Sequence, residues 1–123
     1  MTETASLDLA IFDAADIEQV GRFYAELTGW DIVRQDDDRF GVRTPDGQEV
    51  EFQRAPDHVA PQWPGQEHPQ QFHLDLWVEG IAAAEPAVLA AGATVHEHQP
   101  SGDGGFKVYL DPAGHPFCLV GKP

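Results

Sequence analysis

An internal repeat runs through the 123 residues. Adding 67 to a residue number carries Ser6 onto His73, Leu7 onto Leu74, Leu9 onto Leu76 and Ile11 onto Val78. The same offset carries Pro45 onto Pro112, Gly47 onto Gly114, Glu51 onto Cys118 and Phe52 onto Leu119. Between these anchors the register drifts, Gly29 answering to Gly92, so loop lengths absorb the difference. Repetition at this period marks two copies of one supersecondary unit. Neither copy has enough sheet to bury its helix well alone, so the two are expected to form one body.

Hydrophobic periodicity supplies the elements of each copy. Ser6 to Phe12 alternates apolar and polar residues, the pattern of a half-buried strand. Asp13 suits a helix N-cap, with Asp16 and Glu18 favourable in the first turn. Ile17, Val20, Phe23, Tyr24 and Leu27 follow at helical spacing up to Gly29, a C-terminal stop. Residues 30–35, 39–44 and 48–54 read as three strands, with Pro45-Asp46-Gly47 turning the last pair. Residues 55–70 hold four prolines and read as a connection. The pattern then restarts. Residues 71–78 form an alternating strand, and an alanine-rich helix runs to Ala91 before Gly92. Pro86 places the start of that helix late enough to keep proline in its first turn. Strands are expected at 93–99, 106–110 and 116–120, with Asp111 to Gly114 as a turn. The chain is thus one α+β domain over 1–123: module one at 5–54, a connection at 55–70 and module two at 71–121.

Phe23 to Trp30 (Phe-Tyr-x-x-Leu-x-Gly-Trp), His73 to Glu79 and Asp111 to Phe117 (Asp-Pro-x-Gly-His-Pro-Phe) carry a family likeness. With the tandem β-α-β-β-β order, the chain resembles the vicinal oxygen chelate superfamily, its glyoxalase-like or bleomycin-resistance-like members above all. The resemblance implies a cup-shaped mixed sheet with helices on its outer face, and often a homodimer. It also implies four inward positions, commonly His, Gln or Glu, that hold a divalent metal such as zinc, nickel, manganese or iron. Here those positions fall on Ser6, Glu51, His73 and Cys118. Only Glu51 and His73 keep typical ligand types, so no metal is expected. The superfamily holds lyases, isomerases, dioxygenases and non-catalytic binding proteins, so the likeness speaks for fold before function.

Strand alternation separates two faces independently of that likeness. Leu74, Leu76 and Val78 share one face, for packing on the helices, while His73, Asp75 and Trp77 share the other. The second face is expected to line a concave cavity with Ser6, Asp8, Glu51 and Cys118, polar and acidic at its floor, with Trp77 as an aromatic wall. Glu51, His73 and Cys118 would give zinc three ligands and an open fourth position; the metal-free reading is a Glu51–His73 hydrogen bond beside a small buried thiol. That pair would also serve as a general base if burial tuned it. Trp63 either covers one end of the cavity or packs on the domain edge. His96 and His98 share one strand face and read as a solvated edge, and His58, His68 and His115 as exposed loop residues. Asp36 to Asp38 read as a charged hairpin connection, and Ser101 to Gly105 as a plain connection or a glycine-hinged lid.

Composition narrows the partners. Seven basic against 21 acidic residues, a net charge of −14, exclude phosphate neutralisation and so nucleic acid, and disfavour an anionic membrane. No apolar run nears the ~20 residues of a membrane span. One cysteine excludes an internal disulfide and suits a reducing compartment; with an acidic N-terminus, the expected location is the cytoplasm. No nucleophile elbow, dinucleotide fingerprint or P-loop is present. The leading expectation is a protein that binds or sequesters a small cationic molecule such as a bleomycin-like compound. The alternatives are a metal-dependent lyase, isomerase or dioxygenase using Glu51 and His73, and an interaction module with a vestigial cavity.

Overall fold

The computed structural model describes residue 4, residues 6–102 and residues 104–122. The chain divides between His58 and Val59 into two compact units. Each holds one helix and one four-stranded mixed sheet, so the architecture is α+β with two βαβββ modules. Residues 59–70, the greater part of the proline-rich connection, belong to the second unit.

The first unit comprises β1 (Leu9–Ala14), α1 (Ile17–Thr28), β2 (Asp31–Gln35), β3 (Arg39–Arg43) and β4 (Glu49–Arg54). Its sheet order is β1-β4-β3-β2, with β1 and β4 parallel and the other pairs antiparallel. Strand β1 starts later than the alternation suggests and continues to Ala14, because its pairing follows β4 out to Arg54. Asp13 therefore lies within the strand, and the N-cap is Asp16, whose carboxylate accepts from the Gln19 N–H at 3.0 Å. Ile17, Val20, Phe23 and Tyr24 of α1 are buried, and Tyr24 stacks on Phe52 at 5.5 Å. Gly29 ends the helix at φ 76°, a left-handed conformation that costs glycine no steric penalty.

The second unit repeats this order with β5 (Leu74–Val78), α2 (Ile81–Ala91), β6 (Thr94–Val95), β7 (Phe106–Leu110) and β8 (Pro116–Gly121). The sheet runs β5-β8-β7-β6, again with its first pair parallel. Two expectations are corrected here. Helix α2 starts at Ile81, so Pro86 is interior and removes the bond to the Ala82 carbonyl. Both residues are exposed, which leaves that carbonyl to water. Strand β6 is two residues long instead of seven. The Gln99 side chain cuts it short: its amide donates to the Val108 carbonyl at 2.8 Å and accepts from the Val108 N–H at 2.9 Å, taking the place of a ladder partner.

The pairing registers also correct the repeat. Gly41 faces Glu51, and Val108 faces Cys118, so the last hairpins do correspond at the offset of 67. Opposite Glu51 on the other side stands Ile11, whereas Asp75 stands opposite Cys118. The first strands therefore correspond at an offset of 64, from Ile11 to Asp75. The extra residues sit between β6 and β7, where residues 96–105 replace the tight 36–38 connection of the first unit. Ser6 and Asp8, exposed and ahead of β1, are not the counterparts of His73 and Asp75; Leu9 and Ile11 are. Drift in one loop had displaced the whole strand, and an apolar pair occupies the matching place in module one.

Candidate functional site

In the second unit Phe117 and Leu119 point to the helix side and are fully buried, while Pro116, Cys118 and Val120 point to the opposite face. On that face a cavity of about 350 Å³ is lined by Trp63, Gln70, His73, Asp75, Pro100, Phe106, Val108, Pro116, Cys118 and Val120. Three strands build it, with alternate residues of β5, β7 and β8 reaching inward. Trp63 and Gln70 close it from the segment before β5. Its walls are mainly apolar; the acid expected at its floor is the single carboxylate of Asp75.

His73, Asp75 and Cys118 converge there. One ligand atom from each lies within 4.8 Å of the others. His73 Nε2 approaches Asp75 Oδ1 at 3.2 Å. Burial first, then the charge of Asp75 and a hydrogen bond to it, push the Cys118 thiol up to about 12. At neutral pH Cys118 is therefore a protonated thiol donating to a carboxylate, and a poor nucleophile. As a donor set, imidazole nitrogen, carboxylate oxygen and thiolate sulfur fit a borderline-soft divalent ion with one position open. Such an ion would have to displace the thiol proton. The ligand trio predicted from sequence contained Glu51 in place of Asp75.

Glu51 sits on β4 of the first unit, 4% exposed. Arg39 Nη1 donates to its carboxylate at 2.7 Å, and Arg34 Nη1 lies at 3.7 Å. Gly41 makes this possible: a Cβ there would stand 3.1 Å from Glu51 Cγ and 3.3 Å from Arg34 Cβ. Two guanidinium groups thus neutralise the carboxylate, an arrangement that suits a structural ion pair better than a metal ligand. Arg34 further donates to Asp36, and that bond, with backbone N–H groups of Asp38 and Arg39, holds Asp36 down to about 2. The Asp36 to Asp38 run is a hairpin connection ordered by its own charges.

The remaining sequence candidates separate. Trp77 shares the strand face of Asp75 but is 65% exposed and is not among the cavity's lining residues. Trp63 is, and it meets His96 and His98 edge-on, with ring centroids at 5.4 and 5.0 Å. The two histidines do share a side, though no strand holds them: the His98 N–H donates to His96 Nδ1. Trp63, His96 and His98 also line a second, open groove with Pro61, Pro64 and Leu110. His115 is buried, contrary to its expected exposure. Its ring meets Asp111 at 2.8 Å, and the same carboxylate accepts from the Ala113 and His115 N–H groups, so the Asp-Pro-Ala-Gly-His run is a self-bonded turn. Asp103, within the suggested lid at 101–105, lies outside the described residues. Gln70 was missed entirely; its place in a proline-rich stretch carries no periodic signal.

Solved structures share this fold at low identity. An oxidase, ChaP-H2, is 22% identical, with 98% of this chain and 96% of that one covered and a TM-score of 0.67. A glyoxalase family protein from Enterococcus faecalis is 19% identical over 95% and 98% of the two chains, TM-score 0.69. A glyoxalase/bleomycin resistance protein/dioxygenase family enzyme from Burkholderia phytofirmans PsJN is 18% identical over 95% and 98%, TM-score 0.73. None of the curated proteins matches. No helix among the described residues is long and apolar enough to cross a membrane. The model of the glyoxalase-like domain matches residues 10–120, and the chain belongs to that family, within the vicinal oxygen chelate superfamily that its motifs resemble.

Proposed function

We propose that this protein binds a small organic molecule in the cavity of its second module, as a sequestering or resistance protein. The observation that carries the reading is the cavity itself: about 350 Å³, apolar walls with Trp63 and Phe106, and a few polar groups gathered at one place. That combination is the usual character of a small-molecule site, at the lower end of the size range. The net charge of −14 favours a cationic ligand over an anionic one. The single cysteine and the family likeness support a cytoplasmic homodimer as its working form. Screening by thermal shift tests the proposal. A ligand at about 100 times its Kd adds ~2.7 kcal/mol, roughly a 10 °C rise in Tm for a domain of this size. The rise should persist in EDTA, vanish in Trp63→Ala and survive in Trp77→Ala. Loss in Trp77→Ala with retention in Trp63→Ala would place the site elsewhere.

A second reading rests on the His73–Asp75–Cys118 cluster. Those three residues would hold a divalent ion for lyase, isomerase or dioxygenase chemistry, the ion polarising a substrate oxygen when bound. The chain's own part is to supply the three donors beside an apolar wall. Zinc titration followed by proton release distinguishes it: stoichiometric binding near pH 8 must liberate the Cys118 proton, and Asp75→Asn must weaken it. Unchanged zinc binding in Asp75→Asn removes this cluster from the reading.

A further inference from the structure

Gln70 Oε1 is buried and accepts no hydrogen bond among the described residues. Buried carbonyl oxygens normally have a donor, and one without has lost water and gained nothing in return. Gln70 is also part of the cavity wall. The terminal torsion of a glutamine amide is broad, so a small rotation turns this oxygen to whatever fills the cavity. The second polar feature, the Asp75 carboxylate, touches His73 at 3.2 Å and accepts a hydrogen bond from the Cys118 thiol, which leaves acceptor capacity on its two oxygens. Among the described residues the lining contains no lysine or arginine. Beside the Trp63 indole and Gln70 amide donors, the wall therefore has acceptors to spare for a ligand that brings donors.

The apolar part of the wall sets the ligand's shape. Trp63 and Phe106 give it aromatic rings, and Pro100, Pro116, Val108 and Val120 complete the apolar wall. Such surfaces suit a planar aromatic frame of a ring or two in about 350 Å³. Building on the binding role inferred above, we propose that the cavity selects a planar aromatic ligand bearing an N–H donor. Gln70 Oε1 is the acceptor that reads the donor, and Asp75 is the second acceptor when the ligand is cationic. A donor in the ligand satisfies the Gln70 oxygen once it turns to the cavity, whereas a ligand of equal shape lacking the donor leaves it unbonded there.

Indole and benzofuran form the matched pair for the test, equal in shape and differing in the ring N–H; benzamidine and benzoate add a cation and an anion. Affinities are measured by titration calorimetry or ligand-observed NMR on the intact protein. Indole should bind at least tenfold more tightly than benzofuran, and benzamidine more tightly than benzoate. Gln70→Met keeps the length of the side chain and removes the acceptor. It should bring indole and benzofuran within threefold of each other and raise Tm in the absence of ligand. Equal binding of indole and benzofuran by the wild-type protein overturns the donor selectivity while leaving the binding role intact. Discrimination that persists in Gln70→Met overturns the role of Gln70. If no probe binds and Trp63→Ala behaves as the wild type does, the binding role falls together with this proposal.

Discussion

Alkylation of Cys118 by iodoacetamide, followed by intact mass, tests the electrostatics of the cavity floor. An ordinary thiol near 9 and this one at about 12 differ 1,000-fold in acidity, so at pH 8 the thiolate fraction falls by roughly 10³. The more basic thiolate is intrinsically the better nucleophile, which with a Brønsted slope of ~0.4–0.5 restores about 15- to 30-fold. The net slowing relative to the chain unfolded in urea is then about 30- to 60-fold, a minimum, since Cys118 is only 7% exposed. Rates should be taken from pH 7 to 10 on native and unfolded protein. Asp75→Asn removes the nearby charge and leaves burial, the larger cause, so it should speed native alkylation several-fold without matching the unfolded rate. Native alkylation at pH 8 within about threefold of the unfolded chain would refute the reasoning, as would slower alkylation in Asp75→Asn. The sign carries over to stability. The folded state keeps a proton that the unfolded chain releases above about pH 9, so this contribution is complete below pH 9 and declines as pH rises toward about 12.

Gly21→Ala should destabilise the first unit by about 1–3 kcal/mol in urea denaturation. The added Cβ would stand 2.1 Å from Cδ1 of the buried Phe40 ring, which outweighs the ~1 kcal/mol gain in helix propensity; a more stable variant would contradict this. Pro86→Ala should raise stability by up to ~3 kcal/mol, because it restores a helix hydrogen bond to Ala82 at an exposed position. An unchanged or lowered midpoint would contradict this.

Local signals carried most of the fold. Helix α1 with its Gly29 stop, the alternation of β5 and the Pro-Asp-Gly turn are short-range patterns of hydrophobicity and backbone preference, and they survive translation into structure almost unchanged. Where they failed, a contact distant in sequence had intervened. The pairing of β1 with β4 moved the N-cap from Asp13 to Asp16. The Gln99 amide ended β6 by bonding Val108. The Asp111 carboxylate drew His115 into the interior.

The site was less legible for the same reason. Sequence alone determined that His73, Asp75 and Trp77 share a strand face, since side chains alternate with period two. It also determined that Cys118 answers to Glu51 across the repeat. Which residue stands opposite Cys118 depends on strand register, and a longer β6–β7 connection offset that register from the first strands. Only the tertiary structure therefore chose Asp75 as partner to the thiol, committed Glu51 to Arg39, and brought Trp63 and Gln70 from a patternless, proline-rich segment onto the cavity. Periodicity describes what one element does; a pocket is made by several, and its composition is settled by register and loop length.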